Sequence, residues 1–481
     1  MGSRKTFFLL ICFFVSLPGW AQPGHHINIT LKPFKNELIY LAYYYGKLKA
    51  VADSTVLDDK SMGSFKGKQK LPGGIYFIVS PKKEILFELI LDSQQNFSIT
   101  ADTVDIMNNI TFTGSPDNKL FQAYTALAAK DGKAITGLQK ELATNKTKDD
   151  STKTIAQIKS LNVALQNYRD DYQKQYPGSL LSIVFAAMKD PVVPPADKQP
   201  GGKYDTVFAY RYYKSHYWDG VSFTDDRLVR TPIFEPKLER YFNDLVPHDA
   251  DSINKEVDWM LLYSRTNPEL YKFLLVHFVQ KYVNPEFMGE DAVFVHLFEK
   301  FINTGQAEFF TDKYRKFIND RAYSMMANLI GQAAANLEMV DSSDKPADLY
   351  NVAAKFIVIC FWDPTCSHCK EEVPKLDSIY KAKWKNEGVK MYGVMVDGGR
   401  ANWVKFIQEH DLGDWINVYE TKARHDQVEA AGKPGYKQLY DVYQTPTLFL
   451  LDKDKHIIAK KLSYLQFDKI ITLKLNKAKS S

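Results

Sequence analysis

Cys366 and Cys369 stand three positions apart in the stretch Trp362-Asp363-Pro364-Thr365-Cys366-Ser367-His368-Cys369-Lys370. The apolar run Phe356-Ile357-Val358-Ile359-Cys360-Phe361 precedes them, and a helix-like segment with Glu371, Glu372 and Pro374 follows. Two thiols at this spacing, between a strand and a helix start, can form a reversible dithiol/disulfide couple. At the start of the helix, unpaired backbone N–H groups and the positive end of the helix dipole favour a thiolate on Cys366. Thiol pKa values in such settings fall from about 8.5 into the range ~3.5–7.5. Cys366 is therefore the expected nucleophile. Cys369, one helical turn on and less exposed, is the expected resolving thiol.

Other uses of the pair fit less well. Zinc normally takes four ligands, and no second Cys/His pair stands at suitable spacing. A copper site of Cys366, Cys369 and His368 would need groups that helix geometry points apart. His277 and His296 lie in helical patterns with no partner at ligand spacing, so they read as ordinary helix residues and no metal is expected. Cys360, inside the apolar run, reads as a small buried side chain rather than a third redox group.

The chain around this motif has 481 residues, too many for one core, and about three domains are expected. Hydrophobic residues make up 45% and charged residues 25%, as in ordinary soluble proteins, and the 14% aromatic content argues against disorder. The N-terminus reads as a signal peptide, residues 1–21: Arg4 and Lys5, an apolar run from Phe7 to Val15, and small residues at Gly19 and Ala21. Cleavage after Ala21 is expected to leave an exported, periplasmic chain with no transmembrane segment, the apolar run being shorter than the ~17–25 residues that span a bilayer. A lipoprotein signal at Cys12 has Ile11 where a small residue belongs. Removing Arg4 and Lys5 lowers the formal charge from +5 to +3, too little to argue for nucleic acid. Cys12 would leave with them, so the mature chain would keep Cys360, Cys366 and Cys369. A secreted protein stapled by disulfides uses many more.

The elements that must position the thiols follow from periodicity. Residues 22–115 read as a β-sandwich, with strands at Ile27–Leu31, Leu38–Tyr45, Ile75–Val79, Ile85–Leu91, Phe97–Thr100 and Ile110–Phe112 between turn signals. Residues 116–330 read as an α-helical domain. Leu120, Tyr124 and Leu127, then Ile155, Ile158, Leu161 and Leu165, predict two long helices joined by a charged turn at 145–150, with a third helix over Leu180–Met188. Asp190 to Lys203 is a Pro/Gly-rich loop. The aromatics Tyr210, Tyr212, Tyr213, Tyr217, Trp218 and Phe223 read as a packed interface between domains, with a ligand groove as the alternative. Pro268 stands where a helix tolerates proline. Residues 331–481 alternate strand and helix and end on a hairpin, an α/β domain.

This last segment resembles the thioredoxin fold on Phe361-Trp362-Asp363-Pro364, the Cys366/Cys369 pair, Glu372 with Pro374, and Gln444-Thr445-Pro446-Thr447. Within that fold it is similar to exported thiol-disulfide oxidoreductases of the cytochrome-c-maturation group (TlpA/ResA-like), whose FWxxxCxxCxxExP signature Phe361 to Pro374 satisfies. Cys366 and Pro446 are 80 residues apart, more than in a minimal thioredoxin, which leaves room for the extra elements of the exported forms. The order β-domain, helical domain, thioredoxin-like domain is similar to multidomain proteins of the Bacteroidetes type. Peroxiredoxin-like proteins want Thr three residues before the reactive cysteine, and here that position is Asp363.

The resemblance implies a thiol-disulfide oxidoreductase acting on protein thiols and disulfides. It needs no bound cofactor, because the Cys366–Cys369 disulfide is itself the redox group. Glu372 matches a carboxylate that, if buried, takes the proton from Cys369. Pro446 matches a cis-proline that sets the backbone of Thr445 beside Cys366 for main-chain bonding to substrate. Trp362 packs under the turn, and Trp362, Pro364, His368, Thr445 and Pro446 form the expected substrate surround. His368 either stabilises the Cys366 thiolate or faces solvent. The resemblance implies a reductase fed by a membrane electron donor, whereas the CxHC pattern of Cys366 to Cys369 is similar to strongly oxidising enzymes. The rival reading is a cell-envelope binding or scaffold protein with an accessory redox domain. A cut near Leu329–Gly331 is expected to leave a folded C-terminal piece that still exchanges disulfides, as a thiol-exchange assay on the fragment would read.

Overall fold

The computed structural model describes residues 24–106, 108–144 and 147–480. The expected signal peptide and its Cys12, and part of the predicted turn at 145–150, lie outside the described residues. The described residues fall into two compact units that meet in sequence between Tyr241 and Phe242. The division falls within the helical region rather than at its ends.

The first unit opens with eight strands: β1 (His25–Lys32), β2 (Leu38–Tyr45), β3 (Leu48–Val56), β4 (Met62–Gly67), β5 (Gly74–Val79), β6 (Ile85–Leu91), β7 (Asn96–Asp102) and β8 (Ile110–Thr113). They form two four-stranded sheets, β4-β1-β7-β8 and β3-β2-β5-β6. Ile27, Ile29 and Leu31 of one sheet share a core with Ile39, Leu41 and Ile78 of the other, which is a sandwich. β3 and β4 carry no apolar alternation in the sequence. β3 is an edge strand with exposed and half-buried residues, and β4 buries Phe65 alone between two glycines, so their pairing comes from their neighbours.

Helices α1 (Pro116–Thr144) and α2 (Lys148–Gln175) follow, then α3 (Leu180–Met188), α4 (Thr206–Ser215) and α5 (Phe234–Arg240). The predicted third helix, α3, is capped by Ser179, whose hydroxyl accepts from the backbone N–H of Ser182. The aromatics after α4 pack against one another. Trp218 meets Phe223 at 5.2 Å and Tyr241 at 5.3 Å, edge to face. Residues 226–230 lie against the sandwich, where the N–H of Gly46 donates to the carbonyl of Val229 at 2.8 Å.

The second unit begins with α6 (Ala250–Ser264), α7 (Pro268–Tyr282), α8 (Asp291–Leu297) and α9 (Asp312–Met326). Pro268 occupies the first turn of α7, as predicted, and Asn267 caps it. His296 bonds Asp258 at 2.8 Å, and His277 is buried against Phe273. The remaining elements are β9 (Val340–Asp341), β10 (Phe356–Trp362), α10 (Ser367–Ile379), β11 (Val389–Met395), α11 (Arg400–Glu409), β12 (Ile416–Tyr419), α12 (Lys422–Ala430), α13 (Tyr436–Leu439), β13 (Thr447–Asp452), β14 (Ile457–Lys460) and α14 (Tyr464–Ser480). The strands form one sheet in the order β14-β13-β10-β11-β12-β9. β10 is central, parallel to β11 and antiparallel to β13.

Period two sends the residues of β10 to opposite faces. Val358, Cys360 and Trp362 join Cys369, Val373 and Leu376 of α10, Phe406 of α11 and Phe467 of α14. Ile357, Ile359 and Phe361 join Leu349, Tyr436 and Tyr440 on the other side. Burying each large side chain contributes ~1.5–3 kcal/mol, so the unbroken apolar run in the sequence marks a strand covered on both faces. α12 had no apolar stripe to announce it and buries no residue. Among the described residues, no helix is long and apolar enough to cross a membrane.

A buried polar cluster joins the helices of this unit to its sheet. Lys460, 4% exposed, donates to Asp291 of α8 and, at 2.6 Å each, to the carbonyl and side-chain oxygens of Asn328. Burial pushes the Lys460 ammonium below its ordinary range and Asp291 opposes this. A cut at Leu329–Gly331 would separate Lys460 from both partners. In the whole chain, Asp291→Ala is expected to cost about 3–5 kcal/mol, because it leaves the ammonium buried without its counter-charge. Lys460→Met in that background should recover most of the loss, as urea unfolding would measure.

Candidate active site

β10 ends at Trp362 and α10 begins at Ser367, so four residues make the turn between them. The Asp363 carboxylate accepts from the N–H and the hydroxyl of Thr365, both at 2.7 Å, and the Asp363 carbonyl accepts from the N–H of Cys366 at 3.2 Å. The turn rests on Gly398, whose φ is +89°. A side chain there would strike the Asp363 carboxylate and stand 2.9 Å from the Pro364 ring.

This turn leaves Cys366 as the N-cap of α10, with extended φ and ψ of −68° and 130°. Its half-exposed thiol donates to the carbonyl of Thr445 at 3.4 Å. Hydrogen bonding with the Thr445 side chain, then with the backbone N–H groups of Cys369 and His368, holds the Cys366 thiol below its ordinary range against the opposing effect of burial. Cys369 is fully buried, and its sulfur accepts from the N–H of Asp363 at 3.4 Å. Burial pushes its thiol up to about 11. One turn of helix thus separates an accessible, acidified thiol from a buried, protonated one. Cys360 lies fully buried in β10, its thiol pushed well above the ordinary range by burial and then by Cys369.

Thr445 meets Cys366 because of strand register. In the antiparallel pairing of β10 with β13, Phe361 faces Thr447, so residues 444–446 come level with the turn after β10. The Thr445–Pro446 peptide is cis. The pairing of β13 with β14, Phe449 opposite Lys460, brings Leu462, Ser463 and Tyr464 alongside. Together these segments enclose a cavity of about 340 Å³ beside the thiols. One wall is α10, with His368, Glu372, Val373 and Leu376. The other is Gln444, Thr445, Pro446 and Leu448, and residues 462–464 complete it.

Of the expected substrate surround, His368, Thr445 and Pro446 line the cavity and two others do not. Trp362 is fully buried, packed on Phe406 at 5.1 Å, and supports the turn from beneath instead of facing a substrate. Pro364 is buried against Gly398. Glu372 differs from the buried carboxylate of the resemblance. Its side chain is 40% exposed and salt-bridged to Lys375 at 2.9 Å. It lies one helical turn beyond Cys369, on the wall of the cavity, where α10 meets solvent. The sequence reading missed Leu462, Ser463 and Tyr464. They carry no motif, and only their place after β14 could have pointed to them.

The unequal thiols give a pH dependence in the reduced protein. Between the depressed Cys366 value and its ordinary 9.0, the unfolded chain binds the more protons, so stability rises with pH. That contribution is complete above 9.0 and is lost as pH falls through the folded value. Between 9.0 and about 11, Cys369 acts in the opposite sense, because the folded state keeps its proton longer. In urea titrations across pH, Cys366→Ser is expected to remove the rising limb and keep the falling one. Iodoacetamide should label Cys366 first and Cys369 only after unfolding.

The AhpC/TSA family matches residues 330–460. Two families described as domains of unknown function, DUF4369 and DUF5106, match residues 25–121 and 140–324. The thiol-disulfide oxidoreductase ResA of Bacillus cereus is 27% identical over 133 residues, covering 27% of this chain and 68% of that protein. Among solved structures, a domain of a possible thiol-disulfide isomerase from Cytophaga hutchinsonii is 34% identical. It covers 32% of this chain and 97% of that one, with a TM-score of 0.28. A thioredoxin-like protein from Bacteroides caccae is 19% identical, covering 59% and 98%, with a TM-score of 0.45. The central strand, the turn, the paired thiols and the sequence likeness together identify a multidomain oxidoreductase whose C-terminal part is a thioredoxin-like domain of the thiol-disulfide oxidoreductase kind.

Proposed function

We propose that the chain reduces disulfides in other proteins through Cys366 and Cys369, outside the cytoplasm. The observation that carries this reading is the contrast between the two thiols, one open and acidified, the other buried with its pKa near 11. The Cys366 thiolate attacks one sulfur of a substrate disulfide and expels the other as a thiolate. Cys369 then gives up its proton and attacks the Cys366 sulfur. This releases the second substrate thiolate and closes the Cys366–Cys369 disulfide, so two electrons pass from enzyme to substrate. The cavity along Thr445 and Pro446 would take the extended substrate segment, with main-chain groups of the loop as its partners.

In this reading Glu372, one helical turn beyond Cys369, relays the Cys369 proton to solvent. Its exposure and its bond to Lys375 make it a weak base for this task, so Glu372→Gln should slow resolution by a factor at the low end of the ~10²–10⁴ typical of general bases. His368 borders the same cavity. A second dithiol must recharge the pair. The resemblance to the cytochrome-c-maturation group supports a membrane-bound donor. Arg4, Lys5, the apolar run and Ala21 support export.

Cys366→Ser is expected to reduce exchange with a disulfide-bridged peptide to the uncatalysed background, and Cys369→Ser to trap a mixed disulfide on Cys366. Equal rates with and without Cys366 would overturn the reading and leave a binding protein with an idle dithiol. A potential near about −270 mV for the pair supports the reducing direction, and one near about −120 mV reverses it.

A further inference from the structure

A second buried charge cluster stands next to the redox loop. Arg321 of α9 is 9% exposed, and its guanidinium bonds Asp441 through one nitrogen. Through another nitrogen it donates to the carbonyl of Val283 at 3.0 Å. Asp441 is 3% exposed and engages Lys461 with its second carboxylate oxygen. Its backbone is left-handed, with φ of +52°. Two neighbouring contacts reinforce the grip. Asn328 donates to the carbonyl of Leu439 at 3.0 Å, and the Arg321 guanidinium lies 4.9 Å over the Tyr443 ring. The chain from Leu439 to Tyr443 is thus held at three points by α9 and the turn after it. Four residues beyond Asp441 comes Thr445, whose carbonyl takes the Cys366 thiol.

Arg321 precedes the AhpC/TSA match at 330–460, so this contact is made by a part of the chain outside the thioredoxin-like segment. A buried ion pair is a poor source of net stability, and apolar packing would hold two elements together as well. What the pair adds is a fixed geometry. A carboxylate engaged on both oxygens, and a guanidinium with two partners, allow one placement of the chain between them.

We propose that Arg321 is a positioning residue for the redox site: through Asp441 it holds Thr445 against Cys366, so a helix outside the thioredoxin-like segment sets the reactivity of the nucleophilic thiol. The inference rests on the reading of Cys366 as the nucleophile. The titratable groups next to Cys366 along the chain are Asp363, His368, Cys369 and Lys370, and Glu372 and Tyr464 line the adjoining cavity. Gln444, Thr445 and Pro446, on the facing loop, bring none, so the effect of Arg321 on Cys366 must travel through the position of that loop.

The test compares the whole reduced chain with its Arg321→Gln, Arg321→Lys and Ile318→Val variants. Ile318 is a fully buried residue of the same helix, and its truncation lowers stability without touching the ion pair. The readouts are the pH profile of Cys366 alkylation by iodoacetamide, resolved by peptide, and the Tm. Arg321→Gln is expected to displace the profile, changing the thiolate fraction roughly threefold at a given pH below the midpoint, because the bond from the Cys366 thiol to the Thr445 carbonyl is lost. Arg321→Lys should restore part of the shift, and Ile318→Val should lower the Tm and leave the profile in place. If Arg321→Gln does not fold, Asp441→Asn, which tolerates the left-handed backbone, carries the same expectation. A profile for Arg321→Gln that superimposes on the unaltered chain while the Tm falls would overturn the proposal. Failure of the unaltered chain to exchange disulfides would sink the proposed function instead, and the comparison of profiles would still decide the role of Arg321.

Discussion

Phe361 on β10 faces Thr447 on β13, and the candidate site depends on that register. A slip of one residue would turn every side chain of β10 to the other face and carry Thr445 away from Cys366. The register is held because both faces of β10 are buried in large apolar clusters, so a shifted pairing would place Trp362 and Phe361 on the wrong sides of the sheet. Core packing here fixes a contact between two polar groups 79 residues apart.

The two thiols owe their difference to burial and to which backbone groups face them. Cys366 caps α10, where the first N–H groups of the helix have no other intrahelical partner and Thr445 lies opposite. Cys369 points into the core between β10 and α10 and loses contact with water. The same helix supplies His368, Glu372, Val373 and Leu376 to the cavity, so one element carries both thiols and one wall of the space beside them.

The helices before the sheet bring buried charge to it. Lys460 and Lys461 are adjacent on the chain but reach opposite ways, one to Asp291 and Asn328, the other to Asp441. Asp441 then gathers Arg321 from α9. Such groups are costly to bury and tolerate few arrangements, and Asp441 lies four residues before Thr445. The sandwich of the first unit relies on a different economy, a purely apolar interior shared by two sheets.

Much of this was legible in the residues. The unbroken run Phe356–Phe361 marks a strand covered on both faces, the thiol spacing marks a helix start, and short apolar runs between turn signals mark most strands of the sandwich. Each is a local signal, since period, apolarity and capping act over a few neighbouring residues. β3, β4 and α12 escaped because they bury little and take their form from partners. In the site, the thiols, their order along α10 and the Thr445-Pro446 motif could be read from the residues alone. The folded chain adds that Pro364 is buried, that Glu372 is half open to solvent, that Leu462 to Tyr464 complete the cavity, and that Arg321 bonds Asp441. These depend on sheet register and helix docking, which join residues too far apart on the chain for any spacing to record.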